Sequence, residues 1–309
     1  MSMPDVLQGR LKLPAVAAPL FIISHPPLVI AQCKAGVVGS FPALNARPAQ
    51  QLDEWLHEIK EALGQDDAPF AVNQIVHRSN DRLEHDLEMC VKHEVPIVIT
   101  SLGARPEVNE AVHSYGGIVL HDVINDRFAR KAIEKGADGL IAVAAGAGGH
   151  AGTTSPFALL SEIRQWFDGP LLLSGAIAHG DAVLAAQAAG ADLAYIGSAF
   201  IATEEARAVE EYKAMIAGSR ADDIVYSNLF TGVHGNYLRG SIEAAGLNPD
   251  DLPVSDPSKM NFGSDKKAWR DVWGAGQGVG SVSHVVPAAD LVARLRREYD
   301  VARERVLAA

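Results

Sequence analysis

The segment EKGADGLIAV (residues 134–143) returns, with substitutions, as AAGADLAYIG (residues 188–197). Each copy reads as a helix end, a Gly-Ala-Asp turn and a short apolar strand, as expected of repeated βα units in one barrel. Working outward from these copies, strand-like apolar runs lie at 15–20, 36–40, 70–73, 97–101, 118–121, 139–143, 171–174 and 193–197. Helix-length amphipathic stretches separate them, at 48–63, 81–93, 106–114, 126–135, 156–167 and 181–189, with another at 204–217. Several begin at Pro, Asp or Glu, and Gly64, Gly116, Gly136, Gly190 and Gly218 follow apparent last turns, where a left-handed residue closes a helix. An open doubly wound sheet shares this alternation. The count of eight strands and the internal repeat favour an α/β fold of the (β/α)8 TIM-barrel type.

The 309 residues suit one barrel with an appendage, and a hydrophobic fraction of 48% against 21% charged suits a large buried core. A formal net charge of -11, without a basic patch interleaved with aromatics, argues against nucleic acid as a partner. Two distant cysteines, Cys33 and Cys90, match neither a disulfide framework nor a metal site and suit a reducing cytoplasm. Residues 1–13 lack the apolar core of a signal peptide, and the apolar stretch 15–23 is too short to span a bilayer, so no membrane association is expected.

The alternation stops near Met215, and residues 228–260 are rich in Gly, Asn, Asp and Pro, which reads as a helical and loop-rich lid. The expected division is a barrel over 1–217, a lid or substrate subdomain over 218–287, and a helix over 288–309 that packs back on the barrel.

Barrel chemistry gathers at the C-terminal ends of the strands. The loop after the sixth strand reads AAGAGGHAGTTS (residues 144–155). Its glycines, Gly148 and Gly149 among them, let backbone approach a flat ligand, and His150 is its one side chain suited to proton transfer near neutral pH. After the seventh strand stands Ser174-Gly175-Ala176, and after the eighth Gly197-Ser198. Paired loops of this kind form the phosphate site of many barrels, which sugar phosphates, nucleotides and flavins share. The stretch Asp53, Glu54, Glu58, Glu61 has the spacing of a solvated helix face, and no residue grouping has metal-ligand spacing.

The motifs VNQIVHRSNDR (72–82), GAGGHAG (146–152), LSGAIAHG (173–180), YIGSAFIATEEA (195–206) and AGQGVG (275–280) resemble those of the nitronate monooxygenases, formerly called 2-nitropropane dioxygenases. The resemblance spans nearly the whole chain. It implies a non-covalent FMN with its phosphate at Ser174, Gly175, Ala176, Gly197 and Ser198 and its ring lined by Ala18, Pro19, Leu20 and Phe21. It also places Asn73, Gln74, His121, Gln277 and Gly278 near the flavin and matches His150 to the catalytic histidine. Where many relatives read His-Lys at the end of the fifth strand, this chain reads His121-Asp122. A carboxylate there would not stabilise an anionic reduced flavin as an ammonium does.

His25, beside Pro26-Pro27, could reach the pocket or sit exposed in its loop, while the resemblance brings His234 and Tyr237 of FTGVHGNYLR (230–239) to the substrate end of the flavin. The implied reaction is oxidation of small alkyl nitronates by O2 to a carbonyl compound and nitrite. A second reading keeps the flavin but takes electrons from NAD(P)H for a quinone or an enoyl thioester, with Arg239, Lys259, Lys266 and Lys267 of the lid available to a nucleotide phosphate. A third is a flavin-free barrel that binds a phosphorylated metabolite.

Overall fold

The computed structural model of the chain describes residues 4–256 and 271–308. Eight parallel strands form one sheet: β1 (Ala15–Ala17), β2 (Gly39–Pro42), β3 (Phe70–Ile75), β4 (Ile97–Ser101), β5 (Ile118–Val123), β6 (Gly139–Val143), β8 (Leu171–Ser174) and β9 (Leu193–Ile196). The two-residue β7 (Gly149–His150) stands outside it. The order is β1-β9-β8-β6-β5-β4-β3-β2, and a parallel bridge between Val16 and Val38 joins its two ends. There the Ala17 N–H donates to the Val38 carbonyl at 2.8 Å and the Val38 N–H to that of Ala15 at 3.2 Å. The sheet is therefore closed into the expected TIM barrel.

Alternation along the strands sorts the core. Val16, Ala71, Ile97, Ile99, Leu120, Ile141, Leu172 and Leu193 form one buried cluster, joined by Val38 and Leu7. Their neighbours Ala15, Ala17, Leu140, Ala142, Leu171, Leu173 and Ala194 belong to another cluster, shared with the surrounding helices. The period-two pattern makes the first set the filling of the barrel. One inward position further along, the residues turn polar: Asn73 follows Ala71, Ser101 follows Ile99, Asp122 follows Leu120 and Ser174 follows Leu172. That change marks the floor of the site.

The ring of helices is α1 (Pro26–Ala35), α2 (Gln51–Ala62), α3 (Leu83–Lys92), α4 (Pro106–His113), α5 (Asp126–Glu134), α6 (Pro156–Arg164) and α7 (Gly180–Ala188). Helix α1 was not among the expected helices. The run at 15–20 leaves the sheet after Ala17, next to Pro19, which has no N–H to donate. The helix expected at 204–217 is present only as α9 (Glu210–Gly218); a short α8 (Ser198–Ile201) precedes it, and between the two Thr203 pairs with Val286.

The segment read as a lid contains more strand than expected. Strands β10 (Ile224–Ser227) and β11 (Gly235–Leu238) form an antiparallel hairpin, followed by α10 (Arg239–Ala244). β7 pairs with the other edge of β11, giving a three-stranded sheet, β10-β11-β7. The final helix, α11 (Ala288–Leu307), buries Leu291, Val292 and Leu295 and packs on α1 and α7. Pro257, Lys259, Lys266 and Lys267 lie outside the described residues.

Candidate active site

A cavity of about 1140 Å³ opens at the C-terminal ends of the strands, lined by residues from the loops after each of them. Its volume lies just above the range of about 300–1,000 Å³ usual for small-molecule and cofactor sites. Ala18, Pro19, Leu20 and Phe21, after β1, supply an apolar wall. Asn73, Ser101, Asp122, Ser174 and Tyr195 bring polar atoms to it from the strand ends.

On the β8–β9 side, Ser174, Gly175, Ala176, Gly197 and Ser198 all line the cavity. Gly175 has φ +145°, and a Cβ there would lie 2.8 Å from the Ala145 carbonyl oxygen, so a side chain is excluded both by conformation and by space. The N–H of Ala176 donates to Gly146 O at 3.2 Å and is thus engaged. Among the described residues, the N–H groups of Gly175, Gly197 and Ser198 donate to no protein acceptor. The Ser198 hydroxyl oxygen accepts from the Gly276 N–H at 2.8 Å, which leaves its hydrogen for a ligand. All three residues are half-buried at the cavity wall, so their free N–H groups form a cradle suited to an anion such as a phosphate.

His150 comes from the barrel loop but is held by β11 and the residues before it. It pairs with Gly235 and Gly149 with Asn236, and a Cβ at Gly235 would lie 2.7 Å from the Gly149 carbonyl oxygen. Only glycine lets these strands meet so closely. The Asn236 amide donates to Ala147 O at 2.6 Å and pins the loop's other side. The ring's Nε2 lies 3.1 Å from the Thr231 hydroxyl, which is buried and also contacts Val233 O and N at 3.0 and 3.2 Å. Burial pulls the imidazole down to about 4, so His150 is neutral at neutral pH instead of titrating there as its sequence position suggested. His234 lines the mouth, its ring stacked on Tyr226 with centroids 5.0 Å apart.

Four of the expected residues do not line this cavity. Gln74 points outward, one residue past the inward Asn73, and its amide donates to Cys90 Sγ at 3.3 Å. Gln277 is excluded too, although its N–H donates to Gly146 O at 2.9 Å and its neighbour Gly278 lines the wall. His25 caps α1, with its ring 4.6 Å from that of Trp55, and borders a separate cavity with Arg207 and Glu205. Tyr237 is fully buried beneath β7, edge-on to Phe230. His121 does line the cavity, but on the opposite face of β5 from Asp122; its Nδ1 is 2.6 Å from Thr100 Oγ1. Arg239 is paired with Asp250 at 2.9 Å, away from the cavity.

The sequence reading missed Ser101, Thr231 and Tyr195. Strand alternation carried the signal for Ser101 and Tyr195, which follow inward Ile99 and Leu193 by two residues. Thr231 had no local signal, because its contact with His150 depends on the fold.

A family model described as nitronate monooxygenase matches residues 77–298. The chain is 27% identical to a nitronate monooxygenase of Paraburkholderia phytofirmans, with 92% of each chain covered. Among solved structures, a nitroalkane oxidase of Streptomyces ansochromogenes superposes with a TM-score of 0.83 at 25% identity, covering 97% of this chain and 100% of that one. FabK of Thermotoga maritima superposes at 0.80 with 23% identity, covering 98% and 97%, and bears on the fold alone.

Proposed function

Because the chain belongs to the nitronate monooxygenase family and is thus a flavin oxidoreductase, we propose that it uses FMN and O2 to oxidise alkyl nitronates to a carbonyl compound and nitrite. The observation that carries this reading is one cavity lined both by an unpaired N–H cradle and by a neutral histidine. The cradle suits a single phosphate, and the apolar wall at 18–21 suits the flat face of an isoalloxazine. Bound FMN supplies the redox chemistry, drawing electrons from the nitronate and passing them to O2.

The protein's part is to bind and to manage charge. The N–H groups of Gly175, Gly197 and Ser198 hold the phosphate, with the Ser198 hydroxyl as a further donor. His150 faces the nitro group, its ring angle set by Thr231: with the Thr231 hydroxyl donating to Val233 O, the neutral ring's Nε2–H donates to Thr231 Oγ1 and its Nδ1 carries the lone pair. Towards a neutral nitroalkane, the same unprotonated ring is free of the proton it must accept, and the anion then formed stabilises the imidazolium beside it. The proposed setting is the cytoplasm, supported by two buried free thiols; no helix among the described residues is long and apolar enough to cross a membrane.

One observation favours a second reading. The cavity lining includes Arg47, Lys131 and Lys135, with Asp122 as its only acid among the described residues. Such an excess of cations in an acidic protein suits a phosphorylated electron donor or a thioester. Anaerobic stopped-flow mixing with a nitronate, NADH and NADPH decides between the two. Flavin bleaching by the nitronate is expected; rapid bleaching by a nicotinamide alone would replace the first reading by the second.

A further inference from the structure

Asp122 enters the cavity floor with its hydrogen-bond directions fixed. The Asn73 amide nitrogen donates to Ile99 O at 3.0 Å and to Ser101 Oγ at 2.8 Å. A carbonyl can only accept, so Ile99 sets the orientation of that amide. Ser101 Oγ, receiving one hydrogen from Asn73, directs its own to Asp122 Oδ2 at 2.5 Å, and the Leu102 N–H donates to the same carboxyl. Every protein contact to Asp122 is thus a donor. No ion pair to it is present among the described residues.

The surroundings leave Asp122 as a titrating group. Burial lifts it to about 6 despite the bonds from Ser101 and Leu102. From β9, the Tyr195 phenol is raised well above its ordinary value and stays neutral. His121, on the far face of β5, is lowered to about 4 by burial and by Lys135, and His150 to about 4 by burial. His77 and His234 line the cavity as well, as do Arg47, Lys131 and Lys135.

We propose that Asp122 is a proton store coupled to the charge of the cavity: its carboxylate takes one proton from solvent when negative charge enters and returns it when that charge leaves. No electron passes through Asp122; the exchange is carboxylate plus proton to carboxylic acid. The proposal rests on the flavin reading, because reduction of bound flavin is what brings the charge. A neutral acid removes the repulsion that an ionised one would exert across a low-dielectric cavity.

The test is a spectroelectrochemical titration of the flavin-loaded protein, dithionite-reduced, for wild type and Asp122→Asn. Above about pH 6 the wild-type midpoint potential should fall more steeply with pH, by up to about 30 mV per unit for a tenfold change in the two-electron equilibrium, and the two curves should converge below it. Comparison with the Asn variant cancels contributions from the flavin and from every other cavity residue. A reduced-minus-oxidised infrared difference spectrum should show a carboxylic C=O band in the wild type that shifts on labelling aspartate and is absent from the variant. Parallel potential slopes, or a wild-type spectrum with no such band, would overturn the proposal, and the second result stands even if Asp122→Asn fails to fold. A protein that takes up no flavin would instead sink the flavin reading, and this proposal with it.

Discussion

Replacing His150 by Asn separates a chemical role from a structural one. Burial holds the ring at about 4 instead of 6.5, and each unit of such a shift is worth about 1.4 kcal/mol. The sign follows from proton binding: between these values the unfolded chain binds a proton that the native ring refuses, so this term destabilises the native state as pH falls from about 6.5 to about 4. At pH 4.5 the penalty is at most about 2.5 kcal/mol, reduced by whatever water the cavity admits, and near pH 7 it is close to zero. Asn cannot titrate. Urea unfolding of flavin-free protein should show Asn gaining about 2 kcal/mol on wild type between pH 7 and pH 4.5. In the flavin-loaded enzyme at neutral pH, turnover per bound FMN should fall by about 10²–10⁴-fold, the range for a lost acid or base. Turnover per FMN within a few-fold of wild type would refute the catalytic assignment. An unchanged stability difference between the two pH values would refute the claim that burial keeps the ring neutral.

Heat denaturation should release FMN and not FAD, since one anion cradle is available on the β8–β9 side; chromatography of the supernatant decides. Gly175→Leu should lower flavin content per folded protein, because its Cβ would meet the Ala145 carbonyl at 2.8 Å, and an unaltered content would remove Gly175 from the phosphate contacts. Thr231→Val leaves the His150 Nε2 without its 3.1 Å partner, a loss of about 1–3 kcal/mol, and turnover should fall roughly tenfold or more with KM nearly constant. Thr231→Ser should restore it; equal loss in both variants would point to packing instead of the hydroxyl.

The strands were legible because five of the eight are uniformly buried and two more are buried but for their last residue, and strands covered on both faces carry continuous apolar runs. Helix α1 was missed because its sequence lacks contrast between faces: the apolar Ile30 and Ala31 flank the buried Leu28, Val29 and Cys33, while the buried Gln32 is polar, and amphipathic reading depends on that contrast. At the site, strand alternation separates neighbours that stand together in the sequence: Asn73 and Gln74 point to opposite sides of one strand, and only Asn73 lines the cavity, whereas His121 and Asp122 also take opposite faces but both line it at the strand end. The loops at 144–155, 174–176 and 197–198 do meet around one cavity, since barrel topology brings strand ends together however far apart they lie in the chain. The lid hairpin escaped because four-residue strands pairing with a two-residue partner leave too little local pattern.

The pairing of β7 with β11 has a consequence for how the enzyme matures. The last strand of the ring ends at Ile196, whereas the residues that anchor His150, from Thr231 to Asn236, come later in the chain. A nascent chain leaving the ribosome can therefore complete its ring before His150 is fixed. The anchoring contact is long-range and forms at a high cost in loop entropy, which places it late in folding. The setting of His150 is thus acquired after architecture, and a chain stopped short of Thr231 would own the barrel without the contacts that orient His150.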